Sequence, residues 1–551
     1  MGIMEKIMQY NEIVNGFVWG APVLILLVGT GIYLTLLLGI PQIRYFKASL
    51  QEVFSFKKKE GAKGSISSFA AMATAMAATV GTGNIAGVAT ALRLGGPGAL
   101  VWMLISAVFG MCTKFAEVTL AVYFRQKDEN GYWRGGTMYI LEKGAHQKWL
   151  AIIFAVFAFL ASFGIGAATQ ANSAAEAVSL GWGIDHLYSG IFIAILVALV
   201  IIGGLNSLAR VTTYLVPFMS LFYIVGALFV LIMNASAIPA AIGNALYYAF
   251  AEPAQTVTGA LAGWGVKQAI QKGIARGVFS NEAGMGSAPM VHATASVDHP
   301  VRQGFYGIFE VFMDTIVICS MTALVIMATG TLTSSPELTG SQLTLQAFES
   351  SLGFAGKYIL SIGVFLFAFT TILGWYWYAE TASTYLFGEW SQPVIKILWI
   401  FMILVGAAGA QFLGSNSTEF LNDLWGISDT LNGLMALPNL IGLLILSFTL
   451  KDIVDDYDTK FGFSEDHMLA PTHKILLAKM QYMLIGVLSI ALGVLAFYGY
   501  TKIFAIIAII FGLIAAYKKQ TLFGFIGIIL AACAIATKIF AVNALNSIIM
   551  H

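Results

Sequence analysis

Ala78-Thr79-Val80-Gly81-Thr82-Gly83-Asn84-Ile85-Ala86-Gly87-Val88 interrupts an apolar segment that runs from about Ile66 to the turn Gly95-Gly96-Pro97-Gly98. Glycine weakens a helix, and each interruption frees backbone N–H and C=O groups. In hydrocarbon such groups need protein partners or a polar cavity. The stretch is therefore read as a discontinuous helix whose broken ends line a solute site. The competing reading is a G-x-x-x-G packing face made by Gly83 and Gly87. A second stretch of the same character, Phe279-Ser280-Asn281-Glu282-Ala283-Gly284-Met285-Gly286-Ser287, favours the site, because paired interruptions in corresponding halves mark the binding region of inverted-repeat carriers.

Working outward, the whole chain has the composition of a polytopic membrane protein. Of its 551 residues 58% are hydrophobic and 10% charged, with a mean hydropathy of +0.82. A net charge of +1 gives no case for nucleic acid or a strongly acidic partner. Cys112, Cys319 and Cys533 lie in apolar runs without metal-ligand or disulfide spacing. No basic leader with a cleavage site precedes Phe17–Leu38, which reads as a retained first span.

Loop charge sets the topology. Arg44, Lys47, Lys57, Lys58, Lys59 and Lys63 follow the first span, and Arg125, Lys127, Arg134, Lys143 and Lys148 follow the third. Both loops are assigned to the cytoplasm, with the N-terminus outside. The spans are Phe17–Leu38, the broken Ser65–Leu94, Ala99–Phe124, Trp149–Ser179, His186–Gly203 and Val211–Met233. After a Lys/Arg-free external loop, Asn234–Gly265, come the second broken segment Val266–Ala295, then Gly304–Gly330, Tyr358–Ala382, Val394–Ala410 and Leu424–Leu450, which Pro438 is expected to kink. Glu337 and Glu349 mark another external connection.

Setting the first span aside leaves two groups of five, each opening with a break. An odd number of spans per group inverts the second relative to the first, the five-plus-five arrangement of LeuT-like carriers. The expected fold is thus an all-α membrane protein with one extra N-terminal helix and about three extra C-terminal apolar helices. Residues 1–64 hold the first helix and its basic loop, 65–233 the first repeat and 234–450 the second. Residues 451–481 form a charged cytoplasmic segment. Residues 482–551, with the runs Tyr482–Tyr498, Ile503–Ala516 and Leu522–Ala541, form a peripheral apolar appendage.

The run Gly81-Thr-Gly-Asn-Ile-Ala-Gly-Val, with Gly95-Gly-Pro-Gly, Gly110-Met111, Lys114 and Glu117, then Gly277-Val-Phe-Ser-Asn-Glu-Ala-Gly-Met-Gly-Ser-Ala-Pro and Leu373-Gly-Trp, resembles the signature of the alanine/glycine:cation symporter family. The resemblance extends from about residue 10 to about residue 450. The last hundred or so residues depart from the family pattern, in which a short polar tail is expected. The resemblance implies sodium-driven uptake of a small neutral amino acid at the plasma membrane, with sodium as coupling ion and no prosthetic cofactor. It also implies a substrate pocket at the positions of Thr82, Gly83, Gln170, Asn281, Thr371 and Trp375, and a sodium site like that shared by LeuT-like carriers.

The chemistry of the residues is compatible with that implication. Broken-helix N-termini suit a carboxylate, and Gly83 and Asn84, with the Thr82 hydroxyl, are placed there. Carbonyls near Phe279 and Ser280, the Asn281 amide and Gln170 are candidates to receive an ammonium. Trp375 is expected to cap the cavity. Sodium needs oxygen ligands, assigned to the Thr370 and Thr371 hydroxyls and to carbonyls near Ala78 and Gly81. Each assignment has a structural counterpart: threonines bond back to their own helix, and Gln170 joins helices. Tyr376, Trp377 and Tyr378 read as an interfacial belt, Lys114 with Glu117 as a pair near the cytoplasmic side, and Glu282 as a helix-end partner of a basic loop rather than a gate.

Glu176 and Asp314, acids inside apolar spans, keep a proton-coupled carrier or exchanger open. An intramembrane enzyme would need a nucleophile with its base or a metal cluster in the spans, and no such pattern is visible. A channel would need pore rings from several chains.

Overall fold

The computed structural model describes residues 3–55, 61–250, 265–413 and 417–461. Helix dominates. The principal helices are α1 (Ile3–Val18), α2 (Ala21–Leu37), α3 (Ser68–Thr79), α4 (Ala86–Gly95), α5 (Ala99–Tyr123), α6 (Lys148–Trp182), α7 (His186–Ile202) and α8 (Gly204–Met233). They continue with α9 (Ile238–Phe250), α10 (Val266–Asn281), α11 (Pro300–Ala328), α12 (Gly340–Leu352), α13 (Phe354–Phe387), α14 (Ser391–Leu413), α15 (Ser417–Ile445) and α16 (Ser447–Phe461). Four two-residue strands accompany them: β1 (Ile66–Ser67), β2 (Gln126–Lys127), β3 (Trp133–Arg134) and β4 (Ala295–Ser296).

Among the described residues seven helices are long and apolar enough to cross a membrane, and two bent pairs raise the number to nine. Helix α7 is apolar but has only 17 residues. Helix α10 carries Lys267, Lys272 and Arg276 and is not apolar enough to cross alone. The outer faces of α7 and α8 expose Leu199, Ile202, Phe229 and Ile232, the side chains a lipid-facing surface calls for.

The two groups of five are visible in the packing. Helices α3–α4, α5, α6, α7 and α8 correspond in order to α10, α11, α13, α14 and α15. Exchanging the groups maps contacts onto contacts: α8 with α13 becomes α15 with α6, and α5 with α10 becomes α11 with α3. The pairs α5 with α11, α6 with α13 and α7 with α14 map onto themselves. Alanine and other small residues dominate where helices touch; Ala155, Ala158, Ala161, Ala171 and Ala175 along α6 are fully buried and let backbones approach closely.

Several expectations are revised. The first span begins upstream of Phe17: α1 and α2 make a 32-residue apolar run, Lys6–Leu37. The connections expected as external loops contain helices α9 and α12. The span expected over Leu424–Leu450 is divided between α15 and α16, which are bent by 61° at a break after Ile445. Trp149–Ser179 and Gly304–Gly330 are not uniform α-helices; each contains a π-helical stretch, Ser162–Ala168 and Phe312–Cys319.

The largest revision concerns the second broken segment. The first breaks and restarts as a helix, with a 58° bend between α3 and α4. The second stops at Asn281 and restarts only as the four-residue turn Pro289–His292. Glu282, Gly284 and Gly286 all have positive φ (55°, 91° and 80°), a left-handed path that ends a helix and that glycine takes without strain.

Residues 1–454 form one compact unit, and 455–551 a second. Of the latter, residues 455–461 are described; they are helical, with Lys460 Nζ paired to Asp456 at 2.8 Å. The C-terminal appendage, most of the charged segment 451–481, Lys57–Lys59 and Cys533 lie outside the described residues.

Candidate functional site

The first break begins where α3 ends. Val80 leaves the helical region, Gly81 is extended, and Thr82–Asn84 make a single 3-10 turn before α4 starts. Asn84 closes this turn on itself: its Oδ1 accepts the Gly81 N–H at 2.8 Å. Its Nδ2 donates to Asp314 Oδ1 at 2.6 Å. Asn84 thus braces the break from behind.

Asn281 does the same at the second break. Its Oδ1 accepts the Ala283 N–H at 2.9 Å, and its Nδ2 donates to Thr315 Oγ1 at 3.0 Å. Asp314 joins the two. Besides Asn84 it accepts Ser280 Oγ at 3.2 Å and Thr315 Oγ1 at 2.7 Å. It projects from the π-helical stretch of α11, a local distortion frequent at functional sites.

Between the breaks lies a cavity of about 20 Å³, room for about one water. Ala78, Thr79, Gly81 and Gly83 line it from the first break, Phe279, Ser280 and Glu282 from the second, and Ile165 and Gln170 from α6. Thr371 and Trp375 close it from α13, and Asn432 from α15. Thr82 Oγ1 donates to Gln170 Oε1 at 3.0 Å, so the first break and α6 share one polar wall. A methyl group on Gly81 would collide with Thr371 Oγ1; glycine is what lets α13 reach the break.

The residues singled out in the sequence thus divide. Ala78, Gly81, Gly83, Gln170, Phe279, Thr371 and Trp375 line the cavity, with Thr82 bonded at its edge. Asn84 and Asn281 stand behind it. Thr370 turns away, its Oγ1 bonded to the Leu366 and Phe367 carbonyls and 3.1 Å from Met219 Sδ on α8. Thr371 Oγ1 donates to the Phe367 carbonyl at 2.8 Å, which leaves its lone pairs toward Gly81 able to accept a cation.

Sequence reasoning did not place Glu282, Asn432, Ile165 or Thr79 in the cavity. Glu282 stood in the quoted motif, but its alternatives were a gate and a loop partner. Asn432 is a lone amide in an apolar helix with no motif around it.

Three more readings change. Lys114 pairs not with Glu117 but with Glu310, at 3.3 Å, and both side chains are fully buried. Glu117 instead accepts the Gly284 N–H at 3.0 Å and the Asn439 amide, fastening the irregular segment after Asn281. His292, to which no role was given, holds Glu310 Oε2 at 2.9 Å and Gln303 at 2.9 Å. Tyr376, Trp377 and Tyr378 are buried rather than interfacial; Trp377 Nε1 donates to the Met290 carbonyl at 3.1 Å.

Phe279 also forms one wall of a second cavity of about 80 Å³, beside Asn15, Trp19, Lys272, Arg276 and Asp429. The Arg276 guanidinium lies 5.1 Å from the Phe279 ring centre. Asn15 Nδ2 donates to Asp429 at 3.2 Å, and the Trp19 indole to its carbonyl at 3.2 Å. One phenylalanine therefore separates a charged antechamber from the inner cavity. Among the described residues no group of His, Cys, Asp and Glu has the arrangement of a metal centre.

The sequence profile of the Sodium:alanine symporter family matches residues 4–470. The chain is 47% identical over 441 residues to "Sodium/alanine symporter AgcS" of Methanococcus maripaludis, covering 79% of this chain and 93% of that protein. It is 36% identical over 460 residues to "Probable sodium/glutamine symporter GlnT" of Bacillus subtilis, covering 82% and 91%. Among solved structures, MhsT in complex with L-phenylalanine aligns with a TM-score of 0.49 at 18% identity, covering 72% of this chain and 99% of that one.

Proposed function

The chain belongs to the sodium:alanine symporter family, and from that membership and the cavity between the two helix breaks we propose that it carries alanine or a similarly small neutral amino acid together with sodium. The observation that carries the reading is the convergence of both breaks, α6, α13 and α15 on one buried cavity.

The 3-10 turn at Gly83 and the N-terminal end of α4 that follows it offer N–H groups and the positive end of a helix dipole, where the substrate carboxylate docks. The C-terminal ends of α3 and α10 present carbonyls and negative dipole ends. Gln170 and the carbonyls near Phe279 and Ser280 receive the ammonium; Thr371 and the carbonyls near Ala78 and Gly81 hold sodium. Trp375, packed edge-on to Tyr378 with ring centres 5.3 Å apart, bounds the side-chain pocket. At 20 Å³ the cavity is contracted, and admitting even alanine requires Phe279 or Trp375 to swing back.

Transport then proceeds by alternating access, α3–α4, α5, α10 and α11 rocking against α6, α7, α13 and α14. The basic loops lie in the cytoplasm and the N-terminus outside. The test is uptake of radiolabelled alanine into liposomes with an imposed sodium gradient, an imposed proton gradient, or neither. Uptake driven by sodium is expected; uptake indifferent to sodium excludes the proposal. Unlabelled glycine, serine, glutamine and phenylalanine as competitors then fix the substrate range.

A further inference from the structure

We propose that Glu282 is a proton-exchanging group of the inner cavity: it holds a proton while the cavity is contracted and releases it to water when the ammonium of an incoming amino acid docks against its carboxylate. The inference rests on the amino-acid reading of the cavity.

Glu282 lines the cavity and is 3% exposed. The charged and titratable groups that act on it are Lys114 on α5, Glu310 and Asp314 on α11, and Tyr378 on α13, with Glu117 on α5 beside Lys114 and His292, on the turn after the break, against Glu310. Among the described residues, α6 and α15 bring the amides Gln170 and Asn432 to this cavity. One lysine thus stands among four carboxylates.

Three of those carboxylates have their own compensation. Glu310 has Lys114 at 3.3 Å and His292 at 2.9 Å. Asp314 accepts from Asn84, Ser280 and Thr315. Glu117 takes the Gly284 N–H and the Asn439 amide on one oxygen and lies beside Lys114; a single lysine among these carboxylates leaves the region with an excess of negative charge. Among the described residues Glu282 receives a single hydrogen bond, from the Ser287 hydroxyl. Its remaining acceptor capacity faces a space for about one water, too small to hydrate an anion.

A carboxylate buried without a counter-charge or a full set of donors takes up a proton instead. A substrate ammonium supplies the missing positive charge in the same space. The exchange balances: the carboxylic acid of Glu282 and an ammonium give a carboxylate–ammonium pair and one proton in water. No bond other than the O–H is broken. The substrate carboxylate stays at the opposite end, at the start of α4.

Amino-acid binding is therefore linked to proton release, and acid weakens binding. The experiment uses the full chain in detergent, in saturating sodium and a weak buffer with a pH-indicator dye. Alanine binding is followed in parallel by titration calorimetry. The expected result is release approaching one proton per bound alanine near neutral pH, with affinity falling up to tenfold per pH unit on the acid side. Glu282→Gln is expected to bind at least tenfold more weakly and to release no proton, while Glu282→Asp, the fallback should the glutamine variant not fold, releases a proton with a displaced pH midpoint. Glu176→Gln, at the half-buried face of α6 away from the cavity, is expected to release as wild type does. Alanine binding without proton release, or undiminished release from Glu282→Gln, overturns the inference and leaves the transport reading standing. Absence of alanine binding overturns both.

Discussion

At the scale of single residues, Gln170, Thr371 and Ser280 each bring to the cavity a polar atom that already has one partner and keeps a second valence for a ligand. Gln170 is the clearest: its Oε1 accepts from Thr82 while its amide nitrogen is available. Replacing it with alanine removes that wall and leaves Thr82 and a bound ammonium short of an acceptor. Leaving a buried polar group unpaired costs about 1–3 kcal/mol, so Gln170→Ala is expected to weaken alanine binding on the order of tenfold without unfolding the protein in detergent; unchanged affinity by calorimetry removes Gln170 from the site. Trp375 sets size by bulk alone. Trp375→Leu is expected to cut discrimination between alanine and leucine by about 1–3 kcal/mol, read as a change in competition against labelled alanine. Thr370 and Thr371 show how far sequence reaches here. Two adjacent threonines announce a polar step in the helix, but a 100° rotation per residue sends one to Gly81 and the other to Met219. Only the packing of α13 decides which.

At the scale of elements, the two breaks are legible because glycine, threonine and asparagine at mid-membrane depth leave backbone groups that something must satisfy. What satisfies them is not legible. Asn84 and Asn281 stood out as polar residues among glycines, yet their amides turn toward Asp314 and Thr315 rather than into the cavity. That follows from the π-helical stretch of α11, which no propensity announces. Nor does the local sequence reveal that the second segment lacks a full restart. Its Ala-Gly-Met-Gly-Ser-Ala-Pro run is apolar enough to pass as helix, but the left-handed glycines take it elsewhere. Lys114 was paired by spacing with the nearby Glu117, whereas its partner is Glu310, brought in by the contact of α5 with α11. Asp314 is therefore a stitch between elements. Asp314→Ala leaves Asn84, Ser280 and Thr315 without their acceptor and is expected to cost about 3 kcal/mol or more, seen as a lowered unfolding midpoint by tryptophan fluorescence. Asp314→Asn, which keeps the shape and one acceptor, is expected to lose less. Equal stability of the alanine variant and wild type excludes the stitch.

At the scale of the whole molecule, a carrier needs a closure on each side of its cavity, and the two sides here are closed differently. Toward the ends of α4 and α15 stands Phe279, with Arg276 against its ring. On the other side the closure is backbone. Strand β1, just before α3, pairs in parallel with β4, after the second break, matching Ile66 to Ala295 and Ser67 to Ser296. Arg125 donates to the carbonyls of Ala293, Ala295 and Lys63 at 2.9, 2.6 and 2.6 Å. Arg134 bridges Asp128 and Glu380 at 2.7 and 3.3 Å and lies over the Trp377 ring. The clasp thus holds together the two broken segments and the α13 wall. Opening the cavity to that side has to part β1 from β4. Paired strands lie about 4.8 Å apart, within the Cα separation a disulfide spans, and Ser67 is exposed and Ser296 half-buried. The double variant Ser67→Cys with Ser296→Cys, oxidised, is therefore expected to bind alanine with sodium in detergent yet to carry none into liposomes, and reduction is expected to restore uptake. Ser67 also caps α3 through the Ala70 N–H, so Ser67→Cys alone is the control for the loss of that bond, about 1 kcal/mol. Full uptake by a completely cross-linked protein, verified by mass spectrometry, means the clasp stays shut throughout the cycle and the exit lies elsewhere.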